Sequence, residues 1–209
     1  ETQRFSVRNA PGGEIVPLSE SYWGCHWSSI GTRILDQLCI ASYLAGLPNR
    51  RRVFSYMGKA AEVCRQNGLN PTYTVFRQTC SLELIARHMS DDLRSKRIFA
   101  LIIGDGIGVL SALIKFVFPN STIVVVDLGK TLLYQAYYIR KAHPGVSHRL
   151  AVDVDELDNL DFVYCPAERL DAIDIFKFDL AANINSMQEM DPATVARYFT
   201  FLRSHLNPD

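Results

Sequence analysis

The sequence predicts an α/β domain with a doubly wound, mainly parallel sheet, preceded by a helical region. Three observations carry this. Ile98–Ile103 and Thr122–Val126 are short, continuous apolar runs, the length and texture of strands buried on both faces. Each is followed by an amphipathic helical stretch, and strand and helix then alternate to the end of the chain. Residues 1–95 show helical spacing and no strand pattern, so the expected division is a helical region over 1–95 and the α/β domain over 96–209.

Composition bounds the rest. The chain has 209 residues, 48% apolar and 21% charged, which is enough for one packed core. With 11% aromatics and modest Gly and Pro counts, disorder and collagen-like repetition are excluded. The apolar runs are far shorter than the roughly 20 residues of a membrane span. The 22 basic and 22 acidic side chains balance, which removes the simplest electrostatic case for a nucleic-acid partner. They are unevenly spread, with 13 basic and 8 acidic up to Arg97 and 9 and 14 after it. Arg50, Arg51 and Arg52 form the one dense basic run, either a solvated loop beside Pro48 or a patch for an anionic partner. Five cysteines without a CxxC pair read as reduced thiols in a cytoplasmic protein, and no zinc spacing is present. The opening residues lack the apolar stretch of a signal peptide, and the missing Met leaves room for residues upstream.

In chain order, Asn9–Gly13 reads as loop. A helix is expected from Ser28/Ser29 to Gly46, a second over Val53–Gln66 closed by Asn67-Gly68, and a third over about Thr79–Leu93. Tyr22, Trp23, Trp27, Tyr43, Tyr56 and Tyr73 give this part the look of an aromatic cap, with a minority free to face a ligand. The α/β part follows as strand 98–103, a helix from Val109 to Pro119, strand 122–126, a helix over Lys130–Ala142, strands at Phe162–Tyr164 and Phe178–Asn183, and a last helix from Pro192 to about Leu206.

The strongest chemical signal is Gly104-Asp105-Gly106-Ile107-Gly108 between a buried strand and a helix. Glycines at a strand-to-helix turn let a ligand approach the backbone, and the helix N-terminus offers N–H donors. Asp127, 19 residues after Gly108, ends the next strand and stands where a carboxylate can accept from both hydroxyls of a ribose. The spacing is not G-x-G-x-x-G, since Val109 or Ser111 would hold the third glycine's place, and no Gly-Lys-Ser/Thr follows. A dinucleotide site and a P-loop are both disfavoured. Glycines serving packing alone remain the bland alternative.

The G-x-G-x-G spacing resembles the first motif of class I S-adenosylmethionine-dependent methyltransferases, and Val126-Asp127-Leu128 resembles their second. Asn185-Ser186-Met187-Gln188-Glu189-Met190, after a strand, is similar to a stretch in the sugar O-methyltransferases, a resemblance covering about residues 96–209. It implies a Rossmann-like fold and S-adenosyl-L-methionine as cofactor. Gly104, Asp105, Gly106, Gly108, Asp127, Leu128, Ala167, Glu168 and Asn183 would be its neighbours. The sequence departs from the family at Ile102, where an acid usually helps hold the cofactor's amino-acid part, leaving that role vacant or to Asp105. It also stops where a fifth strand is expected, so the domain reads as incomplete before the last strands of a seven-stranded fold.

Methyl transfer to a sugar hydroxyl needs an oriented acceptor and help with its proton. Glu189 is the candidate base, with Asn185 and Gln188 orienting the acceptor; a surface carboxylate near the last helix is the alternative for Glu189. His143, His148 and His26 are further base or contact candidates for which packing is the plainer reading. Asp153, Asp155, Glu156, Asp158 and Asp161 lack the spacing of a calcium loop, and no metal is expected. The expected activity is methylation of a sugar, a small-molecule acceptor. Methylation of another hydroxylated metabolite, or a non-catalytic binding or scaffold protein on the same fold, stay open.

Overall fold

The computed structural model describes residues 7–9, 15–17, 30–68, 71–90 and 95–208. Two short strands, β1 (Val7–Asn9) and β2 (Ile15–Pro17), pair antiparallel, a feature that the strandless expectation for this part missed. Three helices follow: α1 (Ile30–Gly46), α2 (Arg50–Gln66) and α3 (Tyr73–His88). Helix α2 begins three residues earlier than the pattern suggested, so Arg50–Arg52 form its first turn rather than a loop. Helix α3 begins six residues early, directly behind Pro71-Thr72, because a proline and a β-branched residue stop any earlier helix and set the start. Helix α3 ends at His88, with Met89 already extended, short of the expected end near Leu93. The expected start at Ser28/Ser29, and Tyr22, Trp23, Cys25, His26 and Trp27, lie outside the described residues.

The main sheet has five parallel strands in the order β5-β6-β4-β3-β7. They are β3 (Ile98–Ile103), β4 (Ser121–Asp127), β5 (His148–Leu150), β6 (Phe162–Pro166) and β7 (Leu180–Asn183). Helices α4 (Val109–Val117) and α5 (Gly129–Ala142) connect the central strands, and α6 (Pro192–His205) follows β7. The β5 strand had no sequence signal, since its three residues are half-buried or exposed. β3 matches its expected span and β4 runs one residue further at each end; five of the six side chains of Ile98–Ile103, and all of Ser121–Val126, are buried. Neither face of such a strand meets water, so the apolar run is continuous.

The two faces of the sheet are covered by different elements, the doubly wound arrangement expected. On one face Ile102, Ile123, Val125 and Phe162 pack with Leu110, Leu113 and Ile114 of α4 and Leu132 and Ile139 of α5. Val63 of α2 and Leu82 and Ala86 of α3 belong to that same core, so the helical region forms a further layer on it. On the other face Leu101, Val124 and Val163 pack with Ile173, Tyr198 and Phe201. Beyond β7 the sheet begins to extend. Phe178 N–H donates to His205 O at 2.8 Å and Asn207 N–H to Phe178 O at 2.9 Å, a parallel bridge between Phe178 and Leu206.

Candidate functional site

The chain runs β3, β4, β6 outward in one direction and then returns to place β7 on the other side of β3. A crevice at such a reversal, outside the carboxyl ends of the strands, is where open α/β sheets take ligands. The candidate residues sit there: Gly104 after β3, Asp127 closing β4, Ala167 and Glu168 after β6, and Asn183 closing β7.

The glycine loop is built on left-handed backbone. Gly104 has φ 70° and a Cβ there would overlap the Ser186 side chain, while at Gly108, φ 86°, it would stand 2.8 Å from Ile139 Cδ1. Gly106, φ 62°, faces open space. The first and third glycines therefore allow close packing, and the second leaves the tip of the turn clear.

Asp105 corrects two expectations. Its side chain is turned inward, only 6% exposed, and accepts from Leu110 N–H at 3.1 Å and Ser111 N–H at 2.7 Å. Both of its oxygens therefore cap α4, and they take N–H groups that the sequence seemed to offer a ligand. An anion at a helix N-terminus is favourable, and here the chain supplies its own. Burial pushes the Asp105 carboxyl up to about 7, against the pull of the Ser111 and Leu110 bonds. Ile102, in the place of the family's acid, is buried in the core and cannot face a ligand.

Asp127 stays at the surface of the crevice, partly buried. One oxygen accepts from Leu128 N–H at 2.8 Å and the other from Gln135 Nε2 at 2.7 Å. Burial raises its pKa, and the bonds from Leu128, Gln135 and the Gly106 N–H oppose that rise. Gln135 is fully buried. Sequence reasoning missed it, although a polar residue on the face of α5 that carries Leu132 and Ile139 was the available signal. Leu128 is 66% exposed beside Asp127, and Glu168 reaches over the first residue of α5, its Oε1 3.9 Å from the Cβ position of Gly129.

At the β7 side, Asn183 Nδ2 donates to Ile103 O at 2.8 Å and to Ser186 Oγ, and Ser186 Oγ donates to Ile103 O at 3.2 Å. Asn183 thus ties β7 to β3 under the loop. Asn185 is left-handed, φ 70°, and its Oδ1 accepts from Arg77 Nη2 of α3 at 2.8 Å. Gln188 and Glu189 lie exposed in a 3-10 turn, Met187–Glu189. The capping of α6 belongs to Asp191, which accepts from Ala193 and Thr194 N–H at 2.9 and 3.0 Å. Glu189 is therefore not that cap.

The histidines lie elsewhere. His143 and His148 follow the far end of α5, at the amino edge of the sheet. The His143 ring Nε2 is 2.9 Å from Ala112 O, and His148 Nδ1 is 2.9 Å from the Tyr164 hydroxyl. Burial holds both below the ordinary imidazole value. Asp161 of the acidic run is bonded to Lys115 Nζ at 2.7 Å and to Ser147 N–H at 2.9 Å, a structural role. Cys39, Cys80 and Cys165 are free thiols. Among the described residues no helix is long and apolar enough to cross a membrane.

No family model matches the chain, and no curated protein matches it. Among solved structures, the glycopeptide N-methyltransferase MtfA complexed with sinefungin aligns over 63% of this chain and 46% of its own, at 13% identity and a TM-score of 0.39. A mutant of MtNAS aligns over 86% of this chain and 59% of its own, at 16% identity and the same TM-score. The chain thus spans about half the length of each. Overlaps this loose transfer neither fold nor activity.

Proposed function

We propose that the chain is an S-adenosyl-L-methionine-dependent methyltransferase acting on a hydroxyl of a sugar or sugar-containing metabolite. The observation that carries the cofactor class is Asp105 closing the N-terminus of α4 beside Asp127. A dinucleotide needs those N–H groups for its pyrophosphate. A nucleoside without phosphate does not, and it still finds a carboxylate for its ribose. The sugar acceptor rests on the resemblance of residues 185–190 alone.

When bound, S-adenosyl-L-methionine supplies an electrophilic methyl group on a sulfonium. In this reading Asp127 accepts from the ribose hydroxyls, held in place by Gln135 and Leu128 N–H. Exposed Leu128 gives the base an apolar wall, with Ala167 and Glu168 beyond it. Gly106 keeps the loop tip open. On the β7 side Gln188 and the amide nitrogen of Asn185 orient the acceptor, and Glu189 takes its proton in the transition state. The test is incubation with S-adenosyl-L-methionine and a panel of free and nucleotide-linked sugars, read by mass spectrometry. A methylated sugar, absent with Glu189→Gln, supports the reading; methylation of other hydroxylated metabolites only would replace the sugar.

A second reading is favoured by buried Ile102. A loop lacking the usual acid fits a protein that binds the nucleoside without turning it over, and binding with no transfer to any acceptor would select it.

A further inference from the structure

The cofactor proposed above ends in an amino acid, and the two carboxyl-edge positions from which the sequence suggested a partner for it are spent: Ile102 is core and Asp105 is a helix cap. The other end of the crevice offers a cation. Arg77 is exposed on α3 and bonds across 108 positions to Asn185. It forms no ion pair with a carboxylate among the described residues.

The register of the sheet gives the direction. β4, β3 and β7 are neighbours, and each step is about 4.8 Å, so about 10 Å separates Asp127 from the end of β7. A ligand with its ribose at Asp127 and its base turned toward Ala167 and Glu168 must send its tail the other way. That path crosses Gly104 and Ser186 and arrives at Asn185 and Arg77.

We propose that Arg77 binds the carboxylate at the amino-acid end of the cofactor; this rests on the methyltransferase reading. Asn185 Oδ1 occupies one Nη2 donor and so draws the guanidinium to the β7 end, while the remaining donors form the fork that matches a carboxylate. The helical region thereby contributes a binding group to a site otherwise made by the sheet.

Calorimetry with two probes tests this: S-adenosylhomocysteine, and 5′-methylthioadenosine, which keeps the base, ribose and sulfur but lacks the amino-acid end. In Arg77→Ala, affinity for S-adenosylhomocysteine falls about ten-fold or more, the worth of a bond between charged groups. Affinity for 5′-methylthioadenosine is unchanged, which also shows that the variant is folded, and Arg77→Lys recovers part of the loss. An unchanged ratio of the two affinities in Arg77→Ala overturns the assignment while leaving the methyltransferase reading intact. If the unaltered chain binds neither probe, that reading falls and the Arg77 assignment falls with it.

Discussion

The Asp105 carboxylate accepts the Ser111 N–H at 2.7 Å from inside the turn that joins β3 to α4. One short side chain thus changes what the glycine loop can hold. With its second oxygen on Leu110 N–H, Asp105 takes up both donors at the helix start that a phosphate would need, and leaves Asp127, the proposed ribose partner, untouched. The loop is a closed helix start with an open tip.

Asp105→Ala uncovers two N–H groups at the start of α4 and should cost about 1–2 kcal/mol of stability, as loss of a helix cap does. Urea unfolding measures it directly. A variant as stable as the parent would show that the cap is not needed.

The pH dependence of that carboxyl has a definite sign. Its folded pKa, about 7, is raised above the ordinary carboxylate value, so the folded state holds a proton that the unfolded chain has lost between those values. Its contribution therefore disappears as pH rises from about 4 to about 7. Asp105→Asn lacks this titration and should gain on the parent between pH 5 and pH 8 in urea midpoint. A constant difference would contradict it. His143 and His148, with lowered pKa, act oppositely in both proteins, removing stability as pH falls below the ordinary imidazole value.

Gln135→Leu keeps the volume of a buried side chain but removes the donor to Asp127 Oδ2. Affinity for S-adenosylhomocysteine should fall several-fold. The pH at which binding is half lost to Asp127 protonation should move upward, because the bond from Gln135 holds the carboxyl down. A structural role alone would leave that pH unmoved.

Gly104→Ala and Gly106→Ala separate packing from backbone strain. Both glycines are left-handed, but only at Gly104 would the new methyl meet Ser186. Thermal unfolding should show Gly106→Ala costing about 1–2 kcal/mol and Gly104→Ala distinctly more. Equal losses would mean that the Ser186 contact is readily relieved.

The sheet was legible wherever burial makes a strand apolar on both faces, as at β3 and β4. β5 was not, because a half-buried three-residue edge leaves no periodicity. The candidate site's place in the fold was legible at the glycines, whose left-handed turn restricts residue type, and at Asp127, which ends an apolar strand. It was misread at Asp105, whose position beside the glycines said nothing of the inward turn that makes it a cap. Arg77 left no signal at all, since an arginine on an exposed helix face is commonplace and its partner is 108 positions away.

The proposed crevice is a nucleoside site without a phosphate site. Calorimetric titration of S-adenosylhomocysteine and of NAD into the unaltered chain and Asp127→Ala tests it most directly. S-adenosylhomocysteine is expected to bind, Asp127→Ala to abolish or strongly weaken this, and NAD not to bind. Binding of NAD, or S-adenosylhomocysteine binding indifferent to Asp127, would contradict it.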